Sequence, residues 1–197
     1  MDRSETSIDT KLLSSYHTFI EHSFNTLSHT MRTFPAVVIA NYFVEKAKEG
    51  DTELTILKLM KLIYIAHGWH LGYSGKPLIR EDVEAWKYGP VIRSVYDAFR
   101  RYGASLITER APTGPSGGPD VETISEGDTH NLPAFLNAIW DAYGSYTGGQ
   151  LSEMTHKKGT PWDETWNDQS GKTSFGSVIV DRQIREYYEQ RTAAGTN

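Results

Sequence analysis

The sequence predicts a mainly α fold, a compact single-domain bundle of six or seven helices with at most a small β-hairpin. Three observations predict it. Apolar residues recur at three- and four-residue spacing over several windows of helical length, glycines and prolines mark where those windows end, and the chain contains no Cys. Without disulfides or thiolate zinc sites, packed side chains must fill the interior, and 5 Trp, 11 Tyr and 7 Phe supply the volume. At 197 residues the chain has the size of one ordinary domain with a terminal appendage.

The elements follow in order. Ile8, Leu12, Leu13, Tyr16, Phe19, Ile20, Leu27 and Met31 form a helical stripe, so residues 1–34 are expected to make an N-terminal helical extension. Pro35 suits the first turn of a second helix reaching Lys48, with Gly50 as a left-handed terminator. A third helix, from Thr55 to Tyr73, carries a broad apolar set including Leu59, Ile63 and Trp69, as expected of a central helix contacted on several sides. Gly75 and Pro77 end it. Leu78 to Trp86 shows no helical stripe, and Gly89-Pro90 reads as a turn whose Pro opens a helix from Val91 to Tyr102, stopped by Gly103.

Seven Gly and Pro residues between Thr108 and Asp128 predict a long exposed loop with few apolar anchors and little backbone hydrogen bonding, with room for a small hairpin at Val121 to Ile124. Asn131 is placed to cap a helix carrying Phe135, Leu136, Ile139, Trp140 and Tyr143. Thr147 and Gln150 have the spacing of a capping box that opens a shorter helix through His156, and Asp181 is placed to cap a last helix with Ile184, Tyr187 and Tyr188. The domain proper spans residues 35–191, and 192–197 read as a disordered tail.

Tests for chemistry mostly return ordinary explanations. His67 and His70 stand three apart, but no third ligand accompanies them in sequence, so no metal site is expected. Glu81, Asp82 and Glu84 read as a solvated acidic turn rather than an acid–base pair. The glycines from Gly114 to Gly118 lack the Lys-Ser or Lys-Thr of a phosphate loop, and no Gly-x-Ser-x-Gly elbow occurs. No catalysis and no cofactor are expected. Between Lys76 and Arg110 seven basic residues face five acidic ones, a net of +2, and Asp97 stands four residues from both Arg93 and Arg101 as a surface ion-pair partner. With a net charge of -5 for the chain, that excess is small for a surface that tracks phosphates, so nucleic-acid binding is disfavoured and a DNA-binding regulator is the alternative function. No apolar stretch has the length of a membrane span and the N-terminus lacks the pattern of a secretory signal, so a cytoplasmic protein is expected.

The block Leu57-Lys58-Leu59-Met60-Lys61-Leu62-Ile63-Tyr64-Ile65-Ala66-His67-Gly68-Trp69, then Gly75-Lys76-Pro77-Leu78, Glu84-Ala85-Trp86-Lys87-Tyr88-Gly89-Pro90-Val91 and Ser94-Val95-Tyr96, resembles the Panacea (SocA-like) antitoxin domain. Leu151-Ser152-Glu153-Met154-Thr155-His156 and Pro161-Trp162 resemble that family's C-terminal signature, and together the blocks cover about residues 36–166. The resemblance implies a helical, phage-associated antitoxin domain that neutralises a cognate protein toxin by direct contact. For some members it implies delivery of the toxin to a cellular protease. Candidate partner-binding residues are the stripe residues Leu12, Tyr16, Phe19 and Ile20, the loop residues Trp86, Lys87 and Tyr88, and Arg93, His156 and Trp162. The stripe, spaced like an anchor helix, is expected either to dock on the domain's own bundle or to lie in a groove of the toxin, and chain economy favours the groove. Aromatics on a braced loop make good anchors, because they offer large area with little side-chain entropy to lose. The alternative is that Trp86 and Tyr88 plug the domain's own core and that His156 and Trp162 make a structural contact between the two terminal helices.

Overall fold

The computed structural model describes residues 33–114, 124, 132–168 and 172–194. The stripe residues Leu12, Tyr16, Phe19 and Ile20, the capping candidate Asn131, and all of the Val121 to Ile124 segment except Ile124 lie outside them. The order of elements is α1 Ala36–Glu49, α2 Ile56–Ser74, β1 Val83–Trp86, β2 Gly89–Val91, α3 Arg93–Phe99 with a 3-10 turn Arg100–Tyr102, α4 Leu132–Tyr143, α5 Gly148–Thr155, α6 Pro161–Asp163 running into a π-helical turn Glu164–Asp168, β3 Ser177–Ile179 and α7 Asp181–Ala194. The fold is therefore mainly α, with seven α-helices and one small sheet among the described residues.

Helix α2 is the axis of the bundle. It packs against α1, α3, α4, α5, α7 and β2, and nearly its whole length is buried. Thr55 caps it by accepting the Lys58 N–H, and Gly75, in the left-handed region at φ 68°, ends it. The contact with α7 is unusually close, because a Cβ on Gly68 would lie 2.1 Å from the Tyr188 ring and one on Gly72 2.8 Å from Tyr188 Cβ. Only hydrogen at those positions lets Tyr188 lie across α2, where its ring meets Trp69 edge-on at 5.1 Å. Trp69 in turn donates its Nε1–H to Tyr143 Oη at 3.0 Å, tying α4 to the axis.

Several terminations differ from the sequence expectation. Gly50 is not left-handed (φ -97°), and the neighbouring Asp51 takes the positive angle instead, at φ 45°. Helix α3 begins at Arg93 rather than Val91, because Gly89–Val91 pair with β1. Asp181 does not cap α7. It is the first residue of that helix, and its carboxylate takes the Nε2–H of buried His67 at 3.0 Å, while His67 Nδ1 accepts the Leu78 N–H at 3.3 Å. The Thr147–Gln150 capping box, in contrast, is present with both of its hydrogen bonds.

The loop after Thr108 is better held at its start than its composition suggests. Ala111 is buried, and the Asn41 side chain pairs with its backbone at both ends, accepting its N–H at 2.8 Å and donating to its carbonyl at 2.7 Å. Glu81 is not a solvated acid either. It accepts the Ala36 N–H at 2.9 Å and the Ser94 hydroxyl at 3.1 Å, so it caps α1 from 45 residues away.

The sheet is antiparallel in the order β2-β1-β3, with Ala85 opposite both Pro90 and Ser177. Val83 and Ala85 face the core while Glu84 and Trp86 face outward, the alternation of a half-buried strand. Pro90 is tolerated because β2 is an edge strand.

Candidate functional site

The β1–β2 hairpin turns through Lys87 and Tyr88, and Gly89 follows at φ 104°. That glycine is required twice, since a Cβ there would be strained and would also sit 2.7 Å from Lys61 Nζ and 3.0 Å from His156 Cε1. Beneath the turn, four side chains from three helical elements hold its carbonyl oxygens. Trp162 Nε1 donates to the Trp86 carbonyl at 2.8 Å, and His156 Nε2 lies 3.4 Å from the Lys87 carbonyl. Ser152 donates to the Tyr88 carbonyl at 3.2 Å, and Lys61 Nζ to the Pro90 carbonyl at 3.1 Å. The His156 ring packs on Trp162 at 3.8 Å, and Trp162 stacks on Trp166 at 5.7 Å. Each such bond contributes about 1 kcal/mol net, so the effect of the set is to immobilise one surface turn.

Lys61 is fully buried, and desolvation pushes its ammonium down to about 7. Lys58, one turn earlier, is treated similarly. It donates to the Gly144 carbonyl at 2.6 Å and the Glu53 carbonyl at 3.0 Å, and burial lowers it too. Both lysines act as tacks that join α2 to backbone carbonyls of other elements.

Above the turn the arrangement is open. Arg93 makes a bidentate pair with Glu84 (2.9 and 2.6 Å), and its guanidinium lies 5.5 Å from the Trp86 ring and 5.2 Å from Phe175. Arg93 therefore does not pair with Asp97. Arg101 does not either, lying 3.5 Å from Glu109, and it is Arg100 that approaches Asp97 at 3.9 Å. Trp86 also donates its Nε1–H to Glu84 at 2.8 Å and meets Tyr96 at 5.0 Å. These rings wall a cleft of about 680 Å³ between the hairpin, the start of α2, and the segment Lys172–Phe175. Tyr88 and Phe175 stand at its mouth, 68% and 79% exposed, and half-buried Trp86 lines its side.

The structure thus sorts the sequence candidates into two groups. Lys87, Tyr88 and Arg93 are exposed around the cleft and Trp86 forms part of its wall. His156 and Trp162 lie underneath, where Trp162 is buried and both hold the turn. Sequence reasoning missed Lys61, Ser152 and Phe175. Lys61 carries one usable signal, a charge within an otherwise apolar helical run. Phe175 sits in a Gly- and Ser-containing stretch with no period to mark it. His67 and His70 do not converge, since His70 Nδ1 is bonded to the Lys76 carbonyl at 2.7 Å, and among the described residues no group of three or more His, Asp or Glu is placed to hold a metal ion.

Fold and site define a small helical domain whose buried polar side chains converge on one surface hairpin beside an apolar cleft. The chain belongs to the family described as antitoxin SocA-like, Panacea domain, whose model matches residues 59–163. It is similar to antitoxin SocA of Caulobacter vibrioides (strain NA1000 / CB15N), 29% identical over 162 residues that cover 82% of this chain and 86% of that protein. No solved structure matches. No helix among the described residues is long and apolar enough to cross a membrane.

Proposed function

We propose that this chain is the antitoxin of a toxin–antitoxin pair, that it neutralises a cognate toxin by direct protein contact in the cytoplasm, and that the contact includes the Trp86–Gly89 hairpin and the cleft beside it. One observation carries the reading. A turn whose carbonyls are held from beneath by four side chains presents a 68% exposed Tyr88 outward. A protein that fixes an aromatic in solvent bears the cost of its exposure in the free state and loses little entropy when a partner covers it. Around the hairpin Ser152 and His156 lie 3.4 Å apart, and both are turned to the carbonyls of Lys87 and Tyr88, which suits a supporting role in a binding surface. Delivery of the toxin to a protease is compatible with this surface, which leaves α7 on another side of α2 for a second contact.

The test is coexpression with the product of the adjacent gene. The full chain should restore growth and copurify with the toxin, and Tyr88→Ala should weaken both without altering the melting temperature. Full protection by a Tyr88→Ala, Phe175→Ala double variant would remove the hairpin from the contact. A chain beginning at Met31 tests the N-terminal stripe as a second anchor. It should stay folded, because Phe34 and the helices after it close one core, and should protect poorly.

A further inference from the structure

The lining of the cleft is one-sided in charge. Its described lining holds four basic residues, Lys61, Lys87, Arg100 and Lys172, and no aspartate or glutamate, although Asp97 approaches Arg100 from outside the lining at 3.9 Å. The whole chain has a net charge of -5, so this is a local reversal and not a reflection of overall composition. Lys61 is buried at the base, and Lys87, Arg100 and Lys172 are exposed at the rim. Apolar surface dominates between them. Three of the six exposed large apolar side chains among the described residues, Leu57, Tyr88 and Phe175, surround this one opening.

We propose that the cleft docks a short acidic segment of a protein partner, which seats an aromatic or large aliphatic side chain among Trp86, Tyr88 and Phe175 and lays flanking carboxylates on Lys87, Arg100 and Lys172. The proposal deepens the antitoxin reading and rests on it only for who the partner is. Charge complementarity selects the occupant. The rim attracts carboxylates, while a basic segment meets Lys87, Lys172 and Arg100 with no carboxylate in the described lining to receive it. A nucleic acid fits less well, because a polyanion needs an extended cationic track, and the net negative charge beyond the cleft would repel the rest of its backbone. The base is fixed before binding, since the hairpin is pinned from beneath and Arg93 is already neutralised by Glu84, leaving Lys87 and Lys172, with Arg100 in a long and exposed 3.9 Å pair with Asp97, as the groups that take a carboxylate.

The experiment selects binders to the immobilised full-length protein from a random 12-residue peptide display library, then measures a fluorescein-labelled selected peptide by anisotropy. Selected sequences should place Asp or Glu beside Trp, Phe or Leu. The Lys87→Glu, Lys172→Glu double variant should weaken binding at least tenfold, Phe175→Ala should weaken it several-fold, and added salt should weaken the wild-type interaction. All three positions are exposed, so circular dichroism and melting temperature should stay unchanged. Basic or uncharged selected sequences, no selected binder, or a peptide indifferent to these variants would overturn the proposal. Binding of a single-stranded oligonucleotide that is lost in the same variants would give the cleft to nucleic acid, and a dimer abolished by Phe175→Ala would give it to a second copy of the chain. Either result also overturns it. Protection against the neighbouring toxin is scored in parallel. A wild type that fails to protect refutes the antitoxin reading alone, whereas a protecting double variant whose acidic peptide binding is unchanged refutes the cleft proposal alone.

Discussion

Replacing Lys61 by Met should make the protein more stable at neutral pH. Lys61 is fully buried, and desolvation lowers its ammonium from 10.5 to about 7, so between those values the unfolded chain holds a proton that the folded chain does not. Stability must therefore rise with pH across that window and level off below it. At about 1.36 kcal/mol per pH unit, the wild-type penalty is about 4 kcal/mol at pH 7, where the folded-state amine is half charged, and about 2 kcal/mol at pH 9. The Lys61→Met variant removes that penalty but strands the Pro90 carbonyl, which costs about 1–3 kcal/mol. The variant should thus be more stable by about 1–3 kcal/mol at pH 7 and nearly equal to wild type at pH 9. Urea unfolding of both proteins at the two pH values measures this. Both measurements lie below the range where Tyr64 and Tyr188, whose hydroxyls burial pushes up, begin to cost stability. A variant less stable at pH 7, or a gap that does not narrow by pH 9, would refute the assignment of Lys61 as a buried and strained tack.

Other perturbations test the packing directly. Gly68→Ala places a methyl 2.1 Å from the Tyr188 ring and should cost about 1–3 kcal/mol despite a helix-propensity gain of about 1 kcal/mol. An unchanged melting temperature would mean that α7 does not cross α2 so closely. Trp162→Phe keeps most of the buried ring but removes the donor to the Trp86 carbonyl, so amide exchange should quicken across Trp86–Gly89 and global stability should fall by about 1–2 kcal/mol. Exchange confined to wild-type rates in that turn would contradict the pinned-hairpin account. Asp181→Ala leaves the buried His67 Nε2–H without its acceptor, for an expected loss of about 1–3 kcal/mol in chemical denaturation.

What could be read in the sequence was what neighbours in the chain decide. The broad apolar set of α2, the 3.6-residue stripe of α4, the Thr147–Gln150 capping box and the Gly75 terminator all depend on residues within a turn or two, and the structure contains them. What escaped is set by distant partners. Glu81 becomes a helix cap only because the fold brings Ala36 to it, and the three-residue strand β3 is a strand only because Val83–Ala85 lie alongside it. Gly50 has the residue type of a left-handed terminator, but the next residue, Asp51, takes up the positive angle. The same reason hid Lys61, whose role is legible only when Pro90 is overhead.

The site nevertheless left a trace in the sequence, because its parts are separate blocks of one hairpin and its supports. The family match begins two residues before Lys61 and ends one residue after Trp162, so it spans the turn and all four side chains that pin it. Lys172 and Phe175, the outer wall of the cleft, lie beyond it. The matched part therefore holds the scaffold that fixes the turn together with Trp86, Lys87, Tyr88 and Arg100, while the opposite wall of the cleft is outside. Such a division suits a domain whose stability and partner choice can vary separately. Substitutions at Phe175 and Lys172 should change which peptide is bound while leaving the melting temperature nearly constant. Substitutions at Trp162 should lower the melting temperature and weaken all peptides together. If Phe175→Ala and Lys172→Glu instead destabilise the fold as much as Trp162→Phe does, the wall is part of the core and partner choice must be encoded elsewhere.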